Sequence, residues 1–108
     1  MRSAHTVVLE RNTPIVGTFH TEPYEVGWAT EAIWYVDALD PLDAEWTLVV
    51  EISPDGLRWC ALDDSSHPLA SSGLTAIRVT HFGTWLRIGL TPSVAAATAR
   101  LLVTLSLK

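Results

Sequence analysis

Apolar and polar positions alternate with a period of two along most of this chain, in short runs set off by Pro, Gly, Asp and Ser. Successive side chains of a strand point to opposite faces, so the pattern predicts half-buried β-strands rather than helices. The first run covers Thr6 to Arg11 and stops at Asn12-Thr13-Pro14; the second covers Ile15 to His20. A polar connection follows through Glu22-Pro23 and Gly27. Glu31 to Ala38 then sets Trp34 and Val36 inward against Ile33, Tyr35 and Asp37. Leu39 to Asp43 turns the chain into Glu45 to Ile52, where Trp46, Leu48, Val50 and Ile52 share one face. Ser53-Pro54-Asp55-Gly56 predicts a tight hairpin, since Pro presets φ, Asp tolerates unusual backbone and Gly supplies positive φ. Leu57 to Leu62 pairs back, and Asp63 to Gly73 reads as a loose connection. Thr75 to His81 meets a tight Phe82-Gly83-Thr84 turn, and Trp85 to Leu90 returns with Leu86, Ile88 and Leu90 inward. Ala97 to Leu107 closes the pattern with Ala99, Leu101, Val103, Leu105 and Leu107 on one face. The Ala-Ala-Ala stretch near Val94 has some helical propensity, but the alternation continuing to Leu107 favours a strand. The sum is about eight strands, enough for an all-β, two-sheet antiparallel sandwich of jelly-roll type.

Composition narrows this further. The 108 residues predict one domain over 1–108, and 48% apolar residues with five Trp predict a core built around large rings. No apolar run approaches the roughly 20 residues of a membrane helix. Met1 to Ala4 lead straight into the first strand without a signal-peptide pattern, so synthesis in the cytoplasm is expected. The single Cys60 fits a reducing compartment and permits no internal disulfide. A net charge of −5, with seven scattered Lys and Arg, argues against nucleic acid.

Candidate chemistry is sparse. The four histidines (His5, His20, His67 and His81) show no metal-ligand spacing with one another or with Cys60. Asp37, Asp40, Asp43, Asp55, Asp63 and Asp64 stand at turns, where calcium can bind but where Asp is also favoured for the turn itself. No Asp-x-Asp-x-Asp-Gly loop is present. Cys60, beside Trp59, reads as a small buried or half-buried thiol in mid-strand. The loop serines lie in no nucleophile elbow. No enzyme activity, metal or cofactor is expected. Trp59 reads as an inter-sheet core residue opposite Trp46 or Trp85. Tyr24 and Trp28, in a connection, are the aromatics expected to meet a partner. Val49 and Leu102, apolar on nominally outer faces, are expected contacts as well.

Three segments in order carry a resemblance: Ser53-Pro54-Asp55-Gly56-Leu57-Arg58-Trp59, Phe82-Gly83-Thr84-Trp85-Leu86-Arg87 and the alternating Ala99 to Leu107. Over Glu31 to Lys108 the chain resembles small β-sandwich structural and decoration proteins of tailed-phage virions and related capsid-like assemblies. That resemblance implies a non-enzymatic head, tail or decoration component acting through protein–protein contacts. Its implied partners are other copies of the chain, as a trimer, and a larger capsid or tail assembly; its implied location is a virion or cytoplasmic particle. The Ser-x-Asp-Gly-x-x-Trp hairpin is also similar to that of discoidin-like carbohydrate-binding sandwiches, which imply a glycan ligand instead.

Overall fold

The computed structural model describes residues 5–108, and within them the side chains of Thr6, 14–62 and 66–108. The expectation for Met1 to Ala4 lies outside the described residues. Among the described residues nine strands run in chain order: β1 His5–Val16, β2 Phe19–His20, β3 Tyr24–Glu25, β4 Glu31–Ala38, β5 Trp46–Ser53, β6 Cys60–Pro68, β7 Gly73–Thr80, β8 Trp85–Pro92 and β9 Thr98–Leu107. There is no helix among the described residues, and the Ala-rich stretch is a turn leading into β9.

The strands form two antiparallel sheets, one of four in the order β1-β9-β4-β7 and one of five built on β2-β8-β5-β6, with β3 also on β8. If β2 and β3 are taken as one interrupted strand, the chain crosses between sheets at every connection except β5 to β6. That order is the jelly roll, two interlocked Greek keys. It also makes β5–β6 the hairpin proper. The Phe82-Gly83-Thr84 segment, read as a tight return within a strand pair, instead carries the chain from one sheet to the other, with Phe82 buried at the crossing.

Burial follows the alternation. On β4 and β9 every second residue is buried, from Ala32 to Ala38 and from Ala99 to Leu107. Each fully buried aliphatic side chain stabilises by about 1.5–3 kcal/mol relative to exposure. Trp34 from the four-stranded sheet and Trp46 from the five-stranded sheet are the largest fully buried side chains.

Several strand bounds differ from the expected ones, and the expected run from Ile15 to His20 is divided: Ile15 and Val16 close β1, Phe19–His20 is β2, and the connection after it holds β3. Asn12-Thr13-Pro14 does not stop the first strand: β1 runs through it by two register shifts against β9, between Val8 and Glu10 and between Arg11 and Thr13. The bulges absorb residues that break simple alternation. Similarly, β6 continues to Pro68 through the segment read as loose, because a register shift between Val49 and Glu51 takes up the extra residues. At its other end β6 begins at Cys60 rather than Leu57. No described helix is long and apolar enough to cross a membrane.

Candidate functional site

The Ser-Pro-Asp-Gly turn is held by a local hydrogen-bond set. The buried Ser53 hydroxyl accepts from the Asp55 and Gly56 N–H groups, at 3.2 and 2.8 Å, and lies 3.0 Å from Asp55 Oδ1. Asp55 Oδ1 accepts from the Leu57 and Arg58 N–H groups at 2.9 and 3.0 Å. These donors, Arg58 first and then Leu57, hold the Asp55 carboxyl below its ordinary pKa. Gly56 has φ of 79° and lies on the Trp85 indole, where a Cβ would stand 3.3 Å from the ring. The turn therefore seats Trp85 and delivers Trp59 to the outer face of the five-stranded sheet.

Trp59 is thus not in the inter-sheet core. It is half-buried, with the Arg87 guanidinium 4.2 Å from its ring centroid. The reason is the length of the turn: pairing resumes at Cys60, so Trp59 precedes the strand and folds over the outside. Trp85 is half-buried too, one residue before the inward Leu86. Cys60 is exposed at the start of β6 rather than buried in mid-strand.

Antiparallel register aligns charges beside these rings. Glu51 on β5 pairs with Arg87 on β8, and Arg87 Nε donates to Glu51 Oε1 at 2.6 Å. His20 Nε2 lies 3.5 Å from the same oxygen. Gly89 makes this approach possible, because a Cβ there would meet the His20 ring at 3.1 Å. The side chains of Arg87 and Glu51 are only 20% exposed. Among the described residues only Glu51 accepts from Arg87, through Nε, so the two terminal amino groups remain available as donors. The result is an outward row of Trp59, Arg87, Glu51 and His20, able to stack, donate and accept at once.

The four expected contact residues do not meet in one place. Tyr24 is half-buried in β3 opposite Leu86 and packs against the core. Trp28 is 51% exposed at one end of the sandwich. Beside it an open groove is lined by Gly27, Ala29, Thr30, His81, Phe82 and Thr84 among others. Val49 lies half-buried on the outer face of the five-stranded sheet, between Gly89 and Ser66. Leu102 is half-buried on the opposite outer face, beside Asp37. The described residues contain no group of three or more His, Cys, Asp or Glu placed to hold a metal ion. Sequence reasoning missed Arg87, Glu51 and His20 as a set. The available signal was Gly89 within a strand, a mark of close approach by another group.

No family model and no curated protein matches this sequence. Solved structures do match the fold. The prophage-derived protein YomS superposes with a TM-score of 0.65 at 9% identity, over 97% of this chain and 92% of its own. The exported protein XepA of PBSX gives 0.62 at 16% identity over 97% of this chain, which spans only 36% of XepA. The family 29 carbohydrate-binding module CBM29_1 from Piromyces equi gives 0.54 at 10% identity, over 99% of this chain and 93% of its own. At these identities the likeness is one of fold.

Proposed function

We propose that this chain is a non-enzymatic structural module of a phage-derived particle, working through contacts with copies of itself and with a larger assembly. The observation that carries the reading is the match to YomS, a prophage-derived protein of which nearly the whole chain is this sandwich. Exposed apolar side chains such as Val16, Trp28, Leu57 and Leu74 give such a module surface to bury against neighbours. The resemblance carried by the Ser-Pro-Asp-Gly and Phe-Gly-x-Trp segments points the same way. The test is proteomics of gradient-purified particles from the native host. The chain is expected in stoichiometric amount in the particle fraction; its absence there, with the protein present in the same lysate, would overturn the reading.

A second reading is favoured by the outward row on the five-stranded sheet. A pyranose offers an apolar C–H face to an indole and a rim of hydroxyls to planar polar side chains, as Trp59, Arg87 and Glu51 supply them. The likeness to CBM29_1, a carbohydrate-binding module by name, supports this alternative. Affinity electrophoresis in soluble polysaccharide gels tests it. Retardation that Trp59→Ala and Arg87→Ala both remove, with both variants still folded by circular dichroism, is the expected result; unretarded wild type across glucans, xylans and mannans would exclude it.

A further inference from the structure

Two open sheets have four edges, and each edge offers unpaired backbone N–H and C=O groups to another chain unless something blunts it. Three are blunted here. The β1 edge carries Pro14 and two register shifts. The β2/β3 edge is broken into two-residue pieces around Pro23. The β6 edge carries a register shift and ends at Pro68. The β7 edge has no such device. Its eight residues pair one to one with β4, without a shift. It holds no Pro, Lys, Asp or Glu, and Arg78 is its one charge. Its outer face shows Leu74, which is 61% exposed, together with exposed Ala76 and Arg78.

We propose that β7 pairs antiparallel with β7 of a second copy about a two-fold axis at Ala76, joining two four-stranded sheets into one. The inference rests on the reading that the chain assembles with copies of itself, and adds the surface, the symmetry and the register. Residues directly opposite in an antiparallel pair share a face, so Leu74, Ala76 and Arg78 must meet one another's counterparts. Two axes keep most of the strand paired. An axis at Ile77 sets Arg78 opposite the partner's Ala76, which has Tyr35 behind it on β4. An axis at Ala76 sets Leu74 opposite the partner's Arg78, with Asp37 directly behind Leu74 on β4. The arginine stem then covers the exposed Leu74, and the guanidinium reaches over it to Asp37. Two strand spacings separate the backbones, roughly 10 Å, a span that an Arg and an Asp side chain bridge together. Neither the Arg78 nor the Asp37 side chain has a hydrogen-bond or ion-pair partner among the described residues. Symmetry makes the pair twice, and this charge complementarity at an otherwise uncharged edge selects a second copy as the occupant. The closure is two-fold, unlike the trimer that the resemblance implies.

Cross-linking tests the register. In a Cys60→Ser background, which removes the exposed native thiol, Ala76→Cys places two thiols opposite each other across the axis. Opposite Cα atoms lie about 4.5–5.5 Å apart, within disulfide range. Mild oxidation is expected to link Ala76→Cys to itself, and to link Leu74→Cys to Arg78→Cys only when the two chains are mixed. Leu74→Cys linking to itself as readily as Ala76→Cys would overturn the register. Sedimentation of the wild type and of Ala76→Lys, which sets like charges across the axis, tests the interface itself. Loss of the dimer with a monomer still folded by circular dichroism is expected. A monomeric wild type at high concentration, or a dimer untouched by Ala76→Lys, would overturn the inference. Neither result bears on whether the chain is found in native particles, so the two readings fail separately.

Discussion

Trp34 and Trp59 carry the same indole into unlike surroundings, and single substitutions should separate them. Trp34 is fully buried between the sheets. Trp34→Ala is expected to cost about 3–5 kcal/mol through lost transfer energy and the cavity left behind. Trp59 lies half outside, against Arg87, so Trp59→Ala is expected to cost about 1 kcal/mol, the scale of an exposed cation–π contact. Urea denaturation of the two variants beside wild type decides; equal losses would contradict the placement of Trp59. Asp55 gives a test by pH. Its folded-state pKa is depressed by backbone N–H donors, so its carboxylate stabilises the fold above the unfolded value of about 3.9. That stabilisation is lost as pH falls through the folded value. Asp55→Asn should therefore be less stable than wild type at neutral pH, with the gap closing in acid, as followed by denaturation midpoints from about pH 7 to about pH 2. The opposite trend, a gap that widens in acid, would contradict the hydrogen bonding described for the turn. At this scale the sequence was only partly legible. The turn chemistry of Ser53 to Gly56 could be read from residue types, because each acts on its own backbone. The Arg87–Glu51–His20 row could not, because it depends on which strands become neighbours.

The strands themselves were far more legible, since burial on one face imposes a period that the chain displays directly. Glu31 to Ala38 was expected as a strand with those bounds and is β4, and the inward face of β9 is the one the alternation marks. What escaped the pattern were bulges. At a bulge two or more residues stand opposite one, so alternation breaks while pairing continues, and β1 and β6 both read as interrupted. Sheet order escaped as well, because the turn at Phe82 to Thr84 looks the same in sequence whether it joins neighbours or crosses between layers. The β5–β6 hairpin is where one element-scale variant is most telling. Gly56→Ala meets both a left-handed backbone and the Trp85 ring, and is expected to destabilise by more than about 1 kcal/mol. Gly56→Asn, whose short side chain tolerates that backbone better, should lose less if the φ requirement dominates. Equal losses would place the cost in the Trp85 contact. Melting temperatures of both variants measure the split.

Across the whole molecule, nearly every contact joins strands distant in sequence, and β9 is the extreme case. It lies between β1 and β4 and buries five of its ten residues, from Ala99 to Leu107. Removing residues 98–108 should therefore leave no folded sandwich, rather than a sandwich short of one strand. Dispersed amide proton shifts in such a truncated protein would contradict this. The overall class, the jelly-roll type and the approximate strand count were legible in the sequence; which strands become neighbours in each sheet follows from packing that no local pattern encodes. The position of β9 has a consequence for how the protein comes into being. Synthesis proceeds at about 5–20 residues per second, and domains fold as units once their parts are available. Here the four-stranded sheet has a vacant middle until β9 leaves the ribosome tunnel. For the seconds before that, β4 holds its apolar face without the strand that joins it to β1. A nascent chain stalled ahead of Thr98 is a natural substrate for chaperones and proteases, and only emergence of Thr98–Leu107 from the tunnel ends that exposure.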